Sequence, residues 1–91
     1  MIKINFSSAF INIKGKRNLV LKNFRGNIDS LLAYLTKKYP DLSEEILTPQ
    51  GNLEYHVLIV VNNQPISSLQ GKKTEIKNGD IVNFYLLLAG G

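Results

Sequence analysis

The chain has 91 residues, 44% of them hydrophobic, no cysteine and a formal net charge of +4. That length holds one hydrophobic core, so a single domain spanning 1–91 is expected, with a stability of about 5–13 kcal/mol from per-residue averages. The absence of cysteine excludes disulfides, thiolate-bound metals and a cysteine nucleophile. The positive charge raises the question of nucleic acid. The bases, however, are scattered in small pairs (Lys16/Arg17, Lys37/Lys38, Lys72/Lys73) without interleaved aromatics, so a solvated surface and no direct nucleic-acid partner are expected. No apolar run approaches the ~20 residues of a membrane span, and the start does not read as a signal peptide. A cytoplasmic protein is the expectation.

In chain order, Ile2-Lys3-Ile4-Asn5-Phe6-Ser7 alternates apolar and polar residues, the period of a strand with one buried face. The break at Lys14-Gly15-Lys16-Arg17-Asn18 and the apolar Leu19-Val20-Leu21-Lys22 complete a hairpin. Asn27 can cap a helix in which Ile28, Leu31, Leu32, Leu35 and Tyr39 recur at helical spacing. Asp29 near its start and Lys37 and Lys38 near its end suit the helix dipole, and Pro40 is expected to stop it. A short helical turn follows over 42–47, then loop residues over 48–52. The β-branched run Val57-Leu58-Ile59-Val60-Val61 predicts an interior strand. Asn62-Asn63-Gln64-Pro65 turns the chain, and Lys77-Asn78-Gly79-Asp80, with glycine supplying a positive φ, launches a last strand over 81–88.

Alternation assigns faces. Ile2, Ile4 and Phe6 point to the core, as do Val82, Phe84 and Leu86, while Asn83 shares the other face with Tyr85 and Leu87. His56 places Leu58 and Val60 on that outer face as well. One amphipathic helix covers one side of a sheet, which leaves Leu58, Val60, Tyr85 and Leu87 as an apolar patch for a partner. The other outcome is that segments 42–56 or 63–77 fold over this patch, and the sequence leaves both open.

No catalytic constellation is visible. His56 has no acid at a recognisable spacing, Glu44 and Glu45 are adjacent and diverge, the glycines form no phosphate loop, and no metal site is expected. The chain is therefore not expected to be an enzyme by itself. The sequence Leu88-Ala89-Gly90-Gly91 is different, because its last three residues reach about 10 Å at ~3.3–3.6 Å each, without bulky side chains. A carboxylate there is a poor electrophile until another enzyme joins it to AMP, after which sulfur or an amine can attack it.

Together, the Ile2–Phe6 start, the capped Ile28-Asp29-Ser30-Leu31-Leu32 helix and its Lys38-Tyr39-Pro40 end resemble the MoaD/ThiS family of ubiquitin-like sulfur carriers. So do Val60-Val61-Asn62, the Lys77–Asp80 turn and the final Ala89-Gly90-Gly91. The resemblance implies an α+β, β-grasp fold. Four to five strands would form a mixed sheet on one main helix, with the first and last strands parallel at its centre and 89–91 as a tail. It implies that Gly91, preceded by Gly90, is adenylated by an ATP-using enzyme of MoeB/ThiF type. A sulfur donor system would then convert it to a thiocarboxylate, with no cofactor bound by the chain itself. The molybdopterin synthase small subunit is the nearest type, with a MoaE-type large subunit as partner. Leu58, Val60, Tyr85, Leu87, Leu88 and Ala89 would then contact partners. Leu86 and Leu87 stand where such subunits commonly carry prolines, and Ser7 where an aromatic is common. A ubiquitin-related modifier for tRNA thiolation or protein conjugation, and a β-grasp binding module that is never activated, are the alternatives.

Overall fold

The computed structural model describes residues 1–10 and 17–87. Five strands form a mixed sheet: β1 (Ile2–Phe6), β2 (Asn18–Leu21), β4 (Val57–Val61), β5 (Gln64–Pro65) and β7 (Ile81–Leu86). Their order is β2-β1-β7-β4-β5, with β1 and β7 parallel at the centre and every other pairing antiparallel. A second, two-stranded ribbon joins β3 (Gly26–Asn27) to β6 (Glu75–Ile76). Helix α1 (Ile28–Lys38) is followed by α2 (Pro40–Ile46). The α+β β-grasp architecture expected from the sequence is present.

The α1 helix starts where Asn27 stops being extended. Its Oδ1 accepts the Ser30 N–H at 2.8 Å and the Ser30 hydroxyl at 2.9 Å, which satisfies a donor that the first turn leaves free. Gly26 just before it has φ +151°, and a Cβ there would stand 2.9 Å from Ser30 Cβ, so only glycine fits this entry into the helix. At the other end the Tyr39 N–H bonds to the Leu35 carbonyl. Pro40 does end α1, but it also opens α2, since a proline in the first turn forfeits no helical hydrogen bond. The short helical turn expected over 42–47 is thus a seven-residue helix over Pro40–Ile46, beginning at the proline itself.

The core is the helix side of the sheet. Ile2, Ile4 and Phe6 of β1, Val57, Ile59 and Val61 of β4, and Val82 and Phe84 of β7 pack against Ile28, Leu31, Leu32 and Leu35 of α1 and Leu42 and Ile46 of α2. Phe6 stacks on Phe84 with ring centroids 4.9 Å apart and meets Phe10 edge-on at 5.5 Å. Leu86 is half-buried at the edge of this cluster rather than within it.

Two turns set the register. Asn62 and Asn63 both have positive φ (49° and 71°), the conformation of a two-residue hairpin loop between β4 and β5. Gly79 has φ +96°, as the Lys77–Asp80 turn requires, and its N–H donates to the Met1 carbonyl at 2.7 Å. The Asp80 carboxylate accepts from the Lys77 N–H and from the Asn62 side-chain amide, tying the two turns together beside the start of β7. Among the described residues no helix is long and apolar enough to cross a membrane.

Candidate functional site

The face of the sheet opposite α1 is built by the residues that alternate with the core. Register places Leu58 beside Tyr85 and Val60 beside Asn83 across β4 and β7, and Asn83 beside Asn5 across β7 and β1. Sequence alternation therefore grouped Leu58, Val60 and Tyr85 correctly. Tyr85 is 41% exposed and Leu87 54% exposed, while Leu58 and Val60 are half-buried. Within the segments suggested as covers, α2 and the 3₁₀ turn at Gly71–Lys73 contact α1, and Leu47, Leu53 and Ile66 pack against the core cluster. Tyr85 and Leu87 are left open to solvent.

The polar residues of this face have their own order. Asn5 Nδ2 donates to Asn83 Oδ1 at 3.0 Å, a side-chain bridge across the parallel central pair. It divides the face, with Leu58, Tyr85 and Leu87 toward the end of β7 and Lys3 and Ile81 toward its start. Pairing continues past β7, because the Leu87 N–H donates to the His56 carbonyl at 2.7 Å. The last described residue is thereby held to the strand beside it. Leu88, Ala89, Gly90 and Gly91, singled out from the sequence, lie outside the described residues.

The sequence reading gave His56 no acidic neighbour. Glu54, two positions earlier, lies with Oε2 3.6 Å from His56 Nδ1 in the turn that the Val57 N–H closes on the Glu54 carbonyl. Both side chains are partly exposed, and the separation exceeds a direct hydrogen bond. Ser7 is half-buried beside the end of β7. Its N–H donates to the Phe84 carbonyl, and its own carbonyl accepts from the Arg17 guanidinium at 2.8 Å. Among the described residues no group of three or more His, Asp or Glu is placed to hold a metal ion.

The fold has close counterparts among solved structures. SAMP1 from Haloferax volcanii superposes with a TM-score of 0.80 at 16% identity, covering 99% of this chain and 98% of that one. Urm1 from Trypanosoma brucei gives 0.78 at 22% identity, with coverages of 99% and 94%. A chain of the BexX/CysO complex from Amycolatopsis orientalis gives 0.75 at 14% identity, with full coverage of both. At these identities the likeness is one of fold. No curated protein matches the sequence. The ThiS family matches residues 7–91, nearly the whole chain and every element from β2 to β7, and the chain therefore belongs to that family of ubiquitin-like sulfur carriers and modifiers.

Proposed function

We propose that the chain carries sulfur as a thiocarboxylate on Gly91, made by a separate activating enzyme and delivered to a partner that docks on the open sheet face. In the first step a Gly91 carboxylate oxygen attacks the α-phosphate of ATP and pyrophosphate leaves. In the second, hydrosulfide supplied by a donor system attacks the acyl carbon, the acyl–phosphate bond breaks and AMP leaves, so one oxygen is replaced by sulfur. Gly90 and Ala89 serve as the thread that a narrow active-site cleft admits, since neither adds bulk beyond a methyl group. The chain itself needs no cofactor for this, and ATP is consumed on the activating enzyme, of MoeB/ThiF type.

The observation that supports this reading most is the position of the apolar patch. Leu58, Tyr85 and Leu87 cluster at the end of the central strand β7, immediately before residues 88–91 in sequence. A partner seated on Tyr85 and Leu87 meets Leu88 and Ala89 next and the Gly-Gly pair after them. The favoured acceptor is a molybdopterin synthase large subunit of MoaE type, with this chain as the small subunit. The test is intact-mass measurement of the protein co-expressed with its activating enzyme and a sulfur source. Replacement of one oxygen by sulfur at the C-terminus is expected, and a plain carboxylate under those conditions overturns the reading.

The modifier alternative shares the activation step but ends with an amide between Gly91 and a lysine of another protein. Leu86 and Leu87, in place of the prolines common in molybdopterin synthase small subunits, favour keeping it in view. Isopeptide-linked adducts recovered from cells would select it. The third reading, a binding module that is never activated, requires that alanine at both positions 90 and 91 leave function intact.

A further inference from the structure

The two edges of the main sheet are built differently. At one, β5 is two residues long and contains Pro65, which has no N–H to offer, so this edge is blunted against strand addition. At the other, β2 (Asn-Leu-Val-Leu) has no proline, and among the described residues no strand pairs with its outer side. The Phe6 N–H donates to the Arg17 carbonyl at 2.7 Å, and the β1–β2 register continues from that pair through Ile4↔Leu19 and Ile2↔Leu21. In an antiparallel ladder the alternate residues then face away, so Asn18, Val20 and Lys22 present their main-chain N–H and C=O groups outward.

Beside that edge lies an open groove of about 470 Å³ between β2 and α1. Its apolar lining is Leu21, Phe24 and Tyr34, and Val20 at the rim is 51% exposed. Its charged lining is Lys22, Arg25 and Lys38, with no carboxylate among the described residues. Glu75 lies outside this groove and lines the adjoining depression, with Lys22, Arg25 and Lys77. The two rings already contact each other and a cation: Phe24 and Tyr34 meet edge to face at 6.2 Å, and Lys38 Nζ sits 5.7 Å from the Tyr34 centroid. This disfavours base stacking and favours a ligand that uses main-chain pairing, apolar side chains and negative charge.

We infer that the β2 edge and its cationic groove bind an extended segment of a partner protein, in which a short run of β-branched residues is flanked by carboxylates. The segment adds a sixth strand to the sheet through the outward groups of Asn18, Val20 and Lys22. Alternate side chains drop toward Leu21, Phe24 and Tyr34, and its acids meet Lys22, Arg25 and Lys38. This surface is two strands away from β7, about 10 Å at ~4.8 Å per strand. It is therefore separate from the open-face patch and leaves residues 88–91 free for chemistry while a partner is held.

The test uses the full chain, isotope-labelled, titrated with a synthetic peptide of alternating valine and isoleucine flanked by aspartates. Amide shifts centred on Asn18, Val20 and Lys22, with binding that weakens as salt rises, are expected. Arg25→Glu with Lys38→Glu should weaken binding about tenfold or more while the melting temperature stays near that of the parent. Val20→Pro removes an outward-facing N–H, together with the valine side chain, and should abolish pairing. If that variant fails to fold, a peptide N-methylated at alternate residues tests the same hydrogen bonds on the parent protein. Absence of peptide binding at millimolar concentration overturns the inference. So do shifts confined to Tyr85 and Leu87, or binding of a single-stranded oligonucleotide at this edge with the peptide silent. The readout does not involve Gly91, so its failure is distinct from failure of sulfur loading.

Discussion

The two faces of the central sheet use the same strands for opposite ends. On the helix side, Ile4, Ile59, Val82 and Phe84 are at most 1% exposed and belong to one apolar cluster. On the other side, the same strands carry an amide bridge, Asn5 to Asn83, with Leu58 and Tyr85 next to it and Leu87 beyond. The covered face uses its apolar area for folding. The open face leaves Tyr85 and Leu87 exposed, and the docking proposed above would bury them. The alternation of side chains along β4 and β7 thus separates the core from the proposed docking face, so a substitution can affect one and leave the other nearly unchanged.

That separation can be broken most visibly at Phe84. Phe84→Ala removes a ring stacked on Phe6 at 4.9 Å and should cost about 3–5 kcal/mol of stability, measured by denaturant unfolding. A loss under about 1 kcal/mol, within the ordinary range for exposed sites, would show that the two faces are not so unequal. One residue along, Tyr85→Ala should change stability by no more than about 0.5 kcal/mol. It should weaken partner binding by about 2 kcal/mol, the scale of an aromatic anchor at an interface, measured by calorimetry with the partner. Equal effects of Tyr85→Ala and Phe84→Ala on unfolding would remove the distinction.

Smaller effects sharpen it. Asn83→Ala deletes the bridge to Asn5 in a partly hydrated setting and should cost about 1 kcal/mol, with a double-mutant cycle against Asn5→Ala showing coupling. Deleting Gly91 should give the smallest change in stability, because glycine buries no side chain, yet it should abolish sulfur loading in the intact-mass assay. A clear drop in melting temperature on that deletion would assign residue 91 a structural role.

Much of this arrangement was legible in the residues. The Asn27 cap, the helical spacing of Ile28, Leu31, Leu32 and Leu35, and the turn at Gly79 all depend on neighbours a few positions away, and each is present. The face assignment of Leu58 and Tyr85 was legible because a strand's period of two leaves no choice once one polar residue is placed. Pro40 misled in one respect. A proline signals the end of one helix and the start of another equally well, so the helical turn expected over 42–47 begins at Pro40 itself, with Leu42 and Ile46 packed into the core. The β3–β6 ribbon was not foreseen, since two residues on each side carry no periodicity. Glu54 and His56 are two positions apart, and the turn closed by the Val57 N–H on the Glu54 carbonyl lies between Glu54 and the start of β4.

The sequence by itself determined the main strands, the first helix and the faces they bury. Those follow from local sterics and alternation, which act over a few residues. Only the tertiary structure decided which strands stand side by side. It put Leu58 next to Tyr85, joined Asn5 to Asn83 across 78 positions of sequence, and left β2 as an edge facing Lys38. Such pairings between distant segments are selected by how the whole core closes, and no window of the sequence contains them.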